Sequence, residues 1–139
     1  MRSRLWIVLW VIGILFPMGF LAGAWKPFGR LFDRAFAAGW SHILMHGFLY
    51  LILALLLAQW IQPDSLKAAL LVLALAIGIG CLQEGLQWVM IKAEVDWSAS
   101  AFDLMIDSAG TLLGLAAAHL WASRRKRAPS PVDRGGHFG

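Results

Sequence analysis

His46, Glu84, Asp103 and Asp107 stand inside stretches of sequence that are otherwise almost wholly apolar, with Tyr50 and Gln87 as neutral polar company and His42 close by. Imidazoles exchange protons near neutral pH, burial raises carboxylates towards it, and both groups bind divalent cations. Three carboxylates gathered in a low-dielectric site cannot all stay ionised without compensation: either some hold protons or a cation sits among them. The set therefore reads as a protonatable polar pocket made of His46, Tyr50, Glu84, Gln87, Asp103 and Asp107. On a helix, His42, His46 and Tyr50 share one side at i, i+4 and i+8. Glu84, Gln87 and Trp88 share another, and Asp103, Asp107, Gly110 and Gly114 a third. Gly110 and Gly114 form a G-x-x-x-G step, which lets a second helix approach closely. His42 and His46 have the spacing of helical zinc ligands but lack the glutamate of H-E-x-x-H, so no metal and no cofactor is assigned. Each polar residue taken alone has a plainer reading, an interhelical hydrogen bond contributing about 0.6 kcal/mol.

The elements that must position these residues follow from composition. Of 139 residues, 60% are hydrophobic and 14% charged, whereas soluble domains run at roughly 45–50% and about 25%. The length suits one domain. Apolar stretches cover residues 5–24, 41–60, 66–91 and 101–122. Each can cross a hydrocarbon core of roughly 30 Å as a helix. The runs are too long for strands and do not alternate, and backbone groups in lipid must be satisfied within the segment. Most tryptophans lie near the ends of these runs, where an aromatic belt places them. The expected fold is all-α: a four-transmembrane-helix bundle over 1–122, followed by a basic, disordered cytoplasmic tail over 123–139.

The net charge of +4 does not point to nucleic acid, because the basic residues flank apolar runs and do not interleave with aromatics. Cys81 is the sole cysteine, so no internal disulfide forms. Arg2 and Arg4 ahead of an apolar run, with Ala22-Gly23-Ala24 at its end, also fit a cleavable signal peptide; a retained first helix is the preferred expectation. In the first loop, Phe28, Leu31, Phe32, Ala35 and Phe36 recur at helical spacing between cations, as in a short interfacial amphipathic helix or an ordered loop anchored by phenylalanines. Asp64 or Ser65 is expected to cap the third long helix. With the N-terminus inside, Arg2, Arg4, Lys67, Arg124, Arg125, Lys126, Arg127 and Arg134 face the cytoplasm, against Lys26, Arg30, Arg34 and Lys92 outside. That excess places both termini in the cytoplasm. In this topology His46 lies roughly 9 Å below the outer end of its helix at 1.5 Å per residue. Glu84 and Gln87 fall in the last turns of the next span, and Asp103 and Asp107 in the first turns of the last. All then meet at one depth in the outer leaflet.

His46-x-x-x-Tyr50, Glu84-x-x-Gln87 and Ser100-x-x-Asp103-x-x-x-Asp107-x-x-Gly110-x-x-x-Gly114 resemble the VanZ-like family of small bacterial membrane proteins over roughly residues 40–118. The resemblance implies a four-helix membrane fold and an association with low-level resistance to the glycopeptide teicoplanin; it implies no reaction. Ile43 stands where the family often has Lys, Trp97 where it often has Arg, and Asp107 where it usually has Asn. The expected partners are membrane lipids and a lipid-linked or amphipathic small molecule, with a role as a cell-envelope accessory protein. A membrane enzyme with a carboxylate/His acid–base pair and a structural subunit of a membrane complex are the alternatives. A transporter is disfavoured, since helix 2 below Tyr50 is almost wholly Leu, Ile and Ala.

Overall fold

The computed structural model describes residues 2–16, 18–91 and 96–127, and among these every regular element is a helix. In chain order they are α1 (Arg2–Leu15), α2 (Met18–Ala24), α3 (Lys26–Ala35), α4 (Gly39–Ile61), α5 (Leu66–Ile91) and α6 (Trp97–Arg127). Three of them are long and apolar enough to cross a membrane: α4, α5 over Leu66–Met90, and α6 over Trp97–Arg125. Their outward side chains are apolar; Leu44, Phe48 and Leu113 are 61%, 58% and 62% exposed. Lipid solvates such a surface, and water does not.

The first apolar stretch is expected from the sequence as one helix. It forms two helices, α1 and α2, inclined at 51° to each other. Pro17 falls at the break, and a proline has no N–H for the helical ladder. Neither piece spans a bilayer alone, but together they have the length and composition of a span. The first loop is helical, as α3. Phe28, Phe32 and Phe36 follow one another along one side, with ring centroids 6.1 Å and then 4.5 Å apart. Gly29 lets α3 turn tightly onto α2, since a Cβ there would lie 2.5 Å from the Ala22 carbonyl oxygen.

The helix ends have local causes. α4 stops at Gln62, which takes a left-handed conformation (φ 51°) and donates its N–H to the Ala58 carbonyl; Pro63 then prevents continuation. Of the two expected caps for α5, Ser65 performs the role, its Oγ accepting from the Ala68 N–H at 3.3 Å. Asp96 caps α6: Oδ1 accepts from the Ser98 and Ala99 N–H groups at 3.0 and 3.1 Å. The Ser98 hydroxyl and these two N–H groups hold the Asp96 carboxyl below the usual carboxylate range. At its other end α6 runs through Ser123 to Arg127, so the tail expected from residue 123 starts no earlier than 128. Alanine, arginine and lysine are strong helix formers and carry the helix beyond the apolar run. Residues 128–139 lie outside the described ones.

α1 and α4 run antiparallel: Arg4 lies 5.7 Å from the Trp60 ring centroid, and the Trp10 Nε1–H donates to the Leu49 carbonyl at 2.9 Å. α5 is antiparallel to both α4 and α6, which run parallel to each other, and α4 packs most extensively on α6. The core centres on α4, where Tyr50, Leu53 and Ala54 are fully buried with Val72 of α5.

Candidate functional site

Close approach of α4 and α6 positions the site. A Cβ on Gly110 would strike the backbone of Gly47, and one on Gly114 would lie 2.6 Å from the Leu51 carbonyl oxygen and 2.7 Å from the Ala54 Cβ. Both glycines are buried. The G-x-x-x-G step thus brings the backbones together and fixes their register. One and two turns towards the N-terminal ends, that register places two histidines opposite two aspartates.

The inner pair joins His46 Nδ1 to Asp107 Oδ1 at 2.9 Å, with only 4% of each side chain exposed. The outer pair joins His42 Nε2 to Asp103 Oδ1 at 3.1 Å, with 45% and 17% exposed. The two imidazoles lie over one another, centroids 4.4 Å apart. Both pairs are separated by 61 residues in sequence, as parallel helices in fixed register require. The result is a two-rung ladder that is open at one end and dry at the other.

α5 closes the inner side. Tyr50 is fully buried and donates its hydroxyl to Gln83 Oε1 at 3.2 Å. Beside it, Gly80 leaves room: a Cβ there would sit 3.2 Å from Asp107 Oδ2 and 3.3 Å from the Tyr50 hydroxyl. Towards the open end, Glu84 accepts from the Ser100 hydroxyl at 2.6 Å. Thr111 sends its hydroxyl back to the Asp107 carbonyl at 2.8 Å, leaving that carboxylate to the cluster. Among the described residues, every buried side-chain polar atom has a partner.

His46, Tyr50, Glu84, Asp103 and Asp107 are therefore neighbours at one end of three helices. Gln87 is half-buried, and no side-chain hydrogen bond joins it to the cluster among the described residues. The amide that reaches the centre is Gln83, which sequence reasoning passed over, as it did Gly80. The signal was present: Gly80, Gln83, Glu84 and Gln87 follow at i, i+3, i+4 and i+7, one helical stripe.

On the exposed side of the same seam lies a groove of about 320 Å³, lined wholly by apolar side chains and glycine, among them Ile43, Phe48, Ile106 and Leu113. Ile43 adjoins His42 in sequence and Ile106 adjoins Asp107, so the groove runs alongside the ladder, separated from it by the two helix backbones.

No family model, curated protein or solved structure matches this chain.

Proposed function

We propose that this is a VanZ-like protein of the bacterial cytoplasmic membrane that engages a lipid-linked or amphipathic molecule at the outer leaflet. In this reading α1 and α2 make a first, kinked span beside α4, α5 and α6. α3 lies in the interface, and the excess of cations holds both termini in the cytoplasm. The observation that carries the proposal is the graded ladder: His42 and Asp103 half-open at the rim, His46 and Asp107 sealed behind them. Ionisable groups within a membrane segment are costly, and helix packing alone does not require four of them in register. The apolar groove beside the rim adds a place for a hydrocarbon chain, and its volume lies at the lower end of the roughly 300–1,000 Å³ typical of ligand pockets.

The test uses labelled teicoplanin, an amphipathic glycopeptide, and the full chain in lipid nanodiscs. Wild-type discs are expected to retain it above empty discs, and the E84Q/D103N variant to bind at least tenfold more weakly at equal helicity. Equal retention by both would overturn the reading. One observation favours a second reading, acid–base catalysis on a lipid-type substrate: Asp107 orients the His46 imidazole as a carboxylate orients a general base. Time-dependent conversion of a lipid extract by the wild type, lost in H46Q, would support it; no conversion would remove it.

A further inference from the structure

We propose that His42, His46 and Asp103 form a binding site for one divalent transition-metal ion of the zinc class, with Asp107 as the positioning residue for His46. One ligand atom from each of the three lies within 4.8 Å of the other two. In a tetrahedral shell at about 2.0–2.1 Å, donor atoms stand roughly 3.3–3.5 Å apart. His42 Nε2 and Asp103 Oδ1, at 3.1 Å, are already close to that separation. The set closes around an ion by side-chain rotation at a rim where the His42 side chain is half-exposed.

Asp107 is the independent observation. Metal-binding histidines commonly donate their second ring N–H to a carboxylate, which fixes tautomer and ring orientation. Buried Asp107 engages His46 Nδ1 at 2.9 Å, so Nε2 is the nitrogen left to bind a metal.

Charge points the same way. Glu84, Asp103 and Asp107 converge here, and among the described residues no lysine or arginine pairs with any carboxylate. A divalent cation compensates this local excess of negative charge. Two histidines and one carboxylate leave a fourth position, on the half-exposed side, for water or an anionic oxygen of the amphipathic molecule. That last step rests on the function proposed above; the metal site itself does not.

The experiment is Zn²⁺ titration of the chelator-stripped full chain in nanodiscs against a chromophoric competitor, with Co²⁺ absorption as a readout of the ligand shell. One equivalent of Zn²⁺ is expected. H42A and D103N should weaken it at least a hundredfold and abolish the tetrahedral Co²⁺ bands. D107N should keep the stoichiometry and lose affinity about 10–100-fold, as orienting carboxylates do. H119A, on the far half of α6, should bind as wild type. Far-ultraviolet circular dichroism of each variant identifies those that are folded, and D103N, isosteric and at the rim, is expected to fold. Absence of saturable Zn²⁺ binding, or binding unchanged in folded D103N, overturns the metal site. Teicoplanin retention that survives chelation would then leave the function above standing without it.

Discussion

Towards the N-terminal ends of α4 and α6, the seam between them is made of side chains, His42 on Asp103 and His46 on Asp107. From the next turn onward it is made of backbone, Gly110 on Gly47 and Gly114 on Leu51 and Ala54. The glycine half works by the absence of atoms: no rotamer relieves a Cβ pressed on a neighbouring backbone. The polar half works by complementarity, and its rim is half-exposed. The first half sets the register; the second uses it. Binding chemistry placed on a seam already fixed by packing needs little further ordering when a ligand arrives.

Substitutions that separate the two halves test this division. Gly110→Val has the largest expected effect, about 3 kcal/mol at the upper end of overpacking costs, or loss of the folded seam altogether. Denaturant unfolding in bicelles measures it, and a stability within error of wild type would show that the helices do not touch there. Next comes the contrast between the two rungs. Asp107→Ala leaves the buried His46 N–H without a partner, at about 1–3 kcal/mol. Asp103→Ala leaves half-exposed His42 able to turn to water, at below about 1 kcal/mol. Equal losses in the same unfolding assay would mean that the ladder has no dry end.

The smallest effect lies outside both halves, at the start of α6. The Asp96 carboxyl is held below its ordinary value by the Ser98 hydroxyl and by the Ala99 and Ser98 N–H groups. A depressed carboxylate stabilises the folded form above its unfolded pKa, about 3.9, and that contribution disappears as pH falls through the lower folded value. The Ser98 and Ala99 amide shifts should therefore titrate with a midpoint below that of free aspartate. D96N should abolish the titration without moving the rungs. A midpoint at or above the ordinary value would show that the cap does not form.

Much of this arrangement was legible in one dimension. Long apolar runs announced the helices, Ser65 and Pro63 their boundaries, and i, i+4 spacing the faces carrying His42, His46, Asp103 and Asp107. What spacing could not show was rotation of α5 about its axis. Gln83 and Gln87 lie one turn apart on the same stripe, and only the packed angle put Gln83 against Tyr50. The bend between α1 and α2 falls where the sequence has Pro17, inside an otherwise continuous apolar run.

Periodicity and hydrophobicity determined which residues are helical and which faces seek company, because both follow from each residue's own transfer free energy and from 3.6 residues per turn. Pairing was decided only in three dimensions. That His46 meets Asp107 and His42 meets Asp103 depends on where two backbones stop when glycine no longer holds them apart, and that is a property of the packed interface.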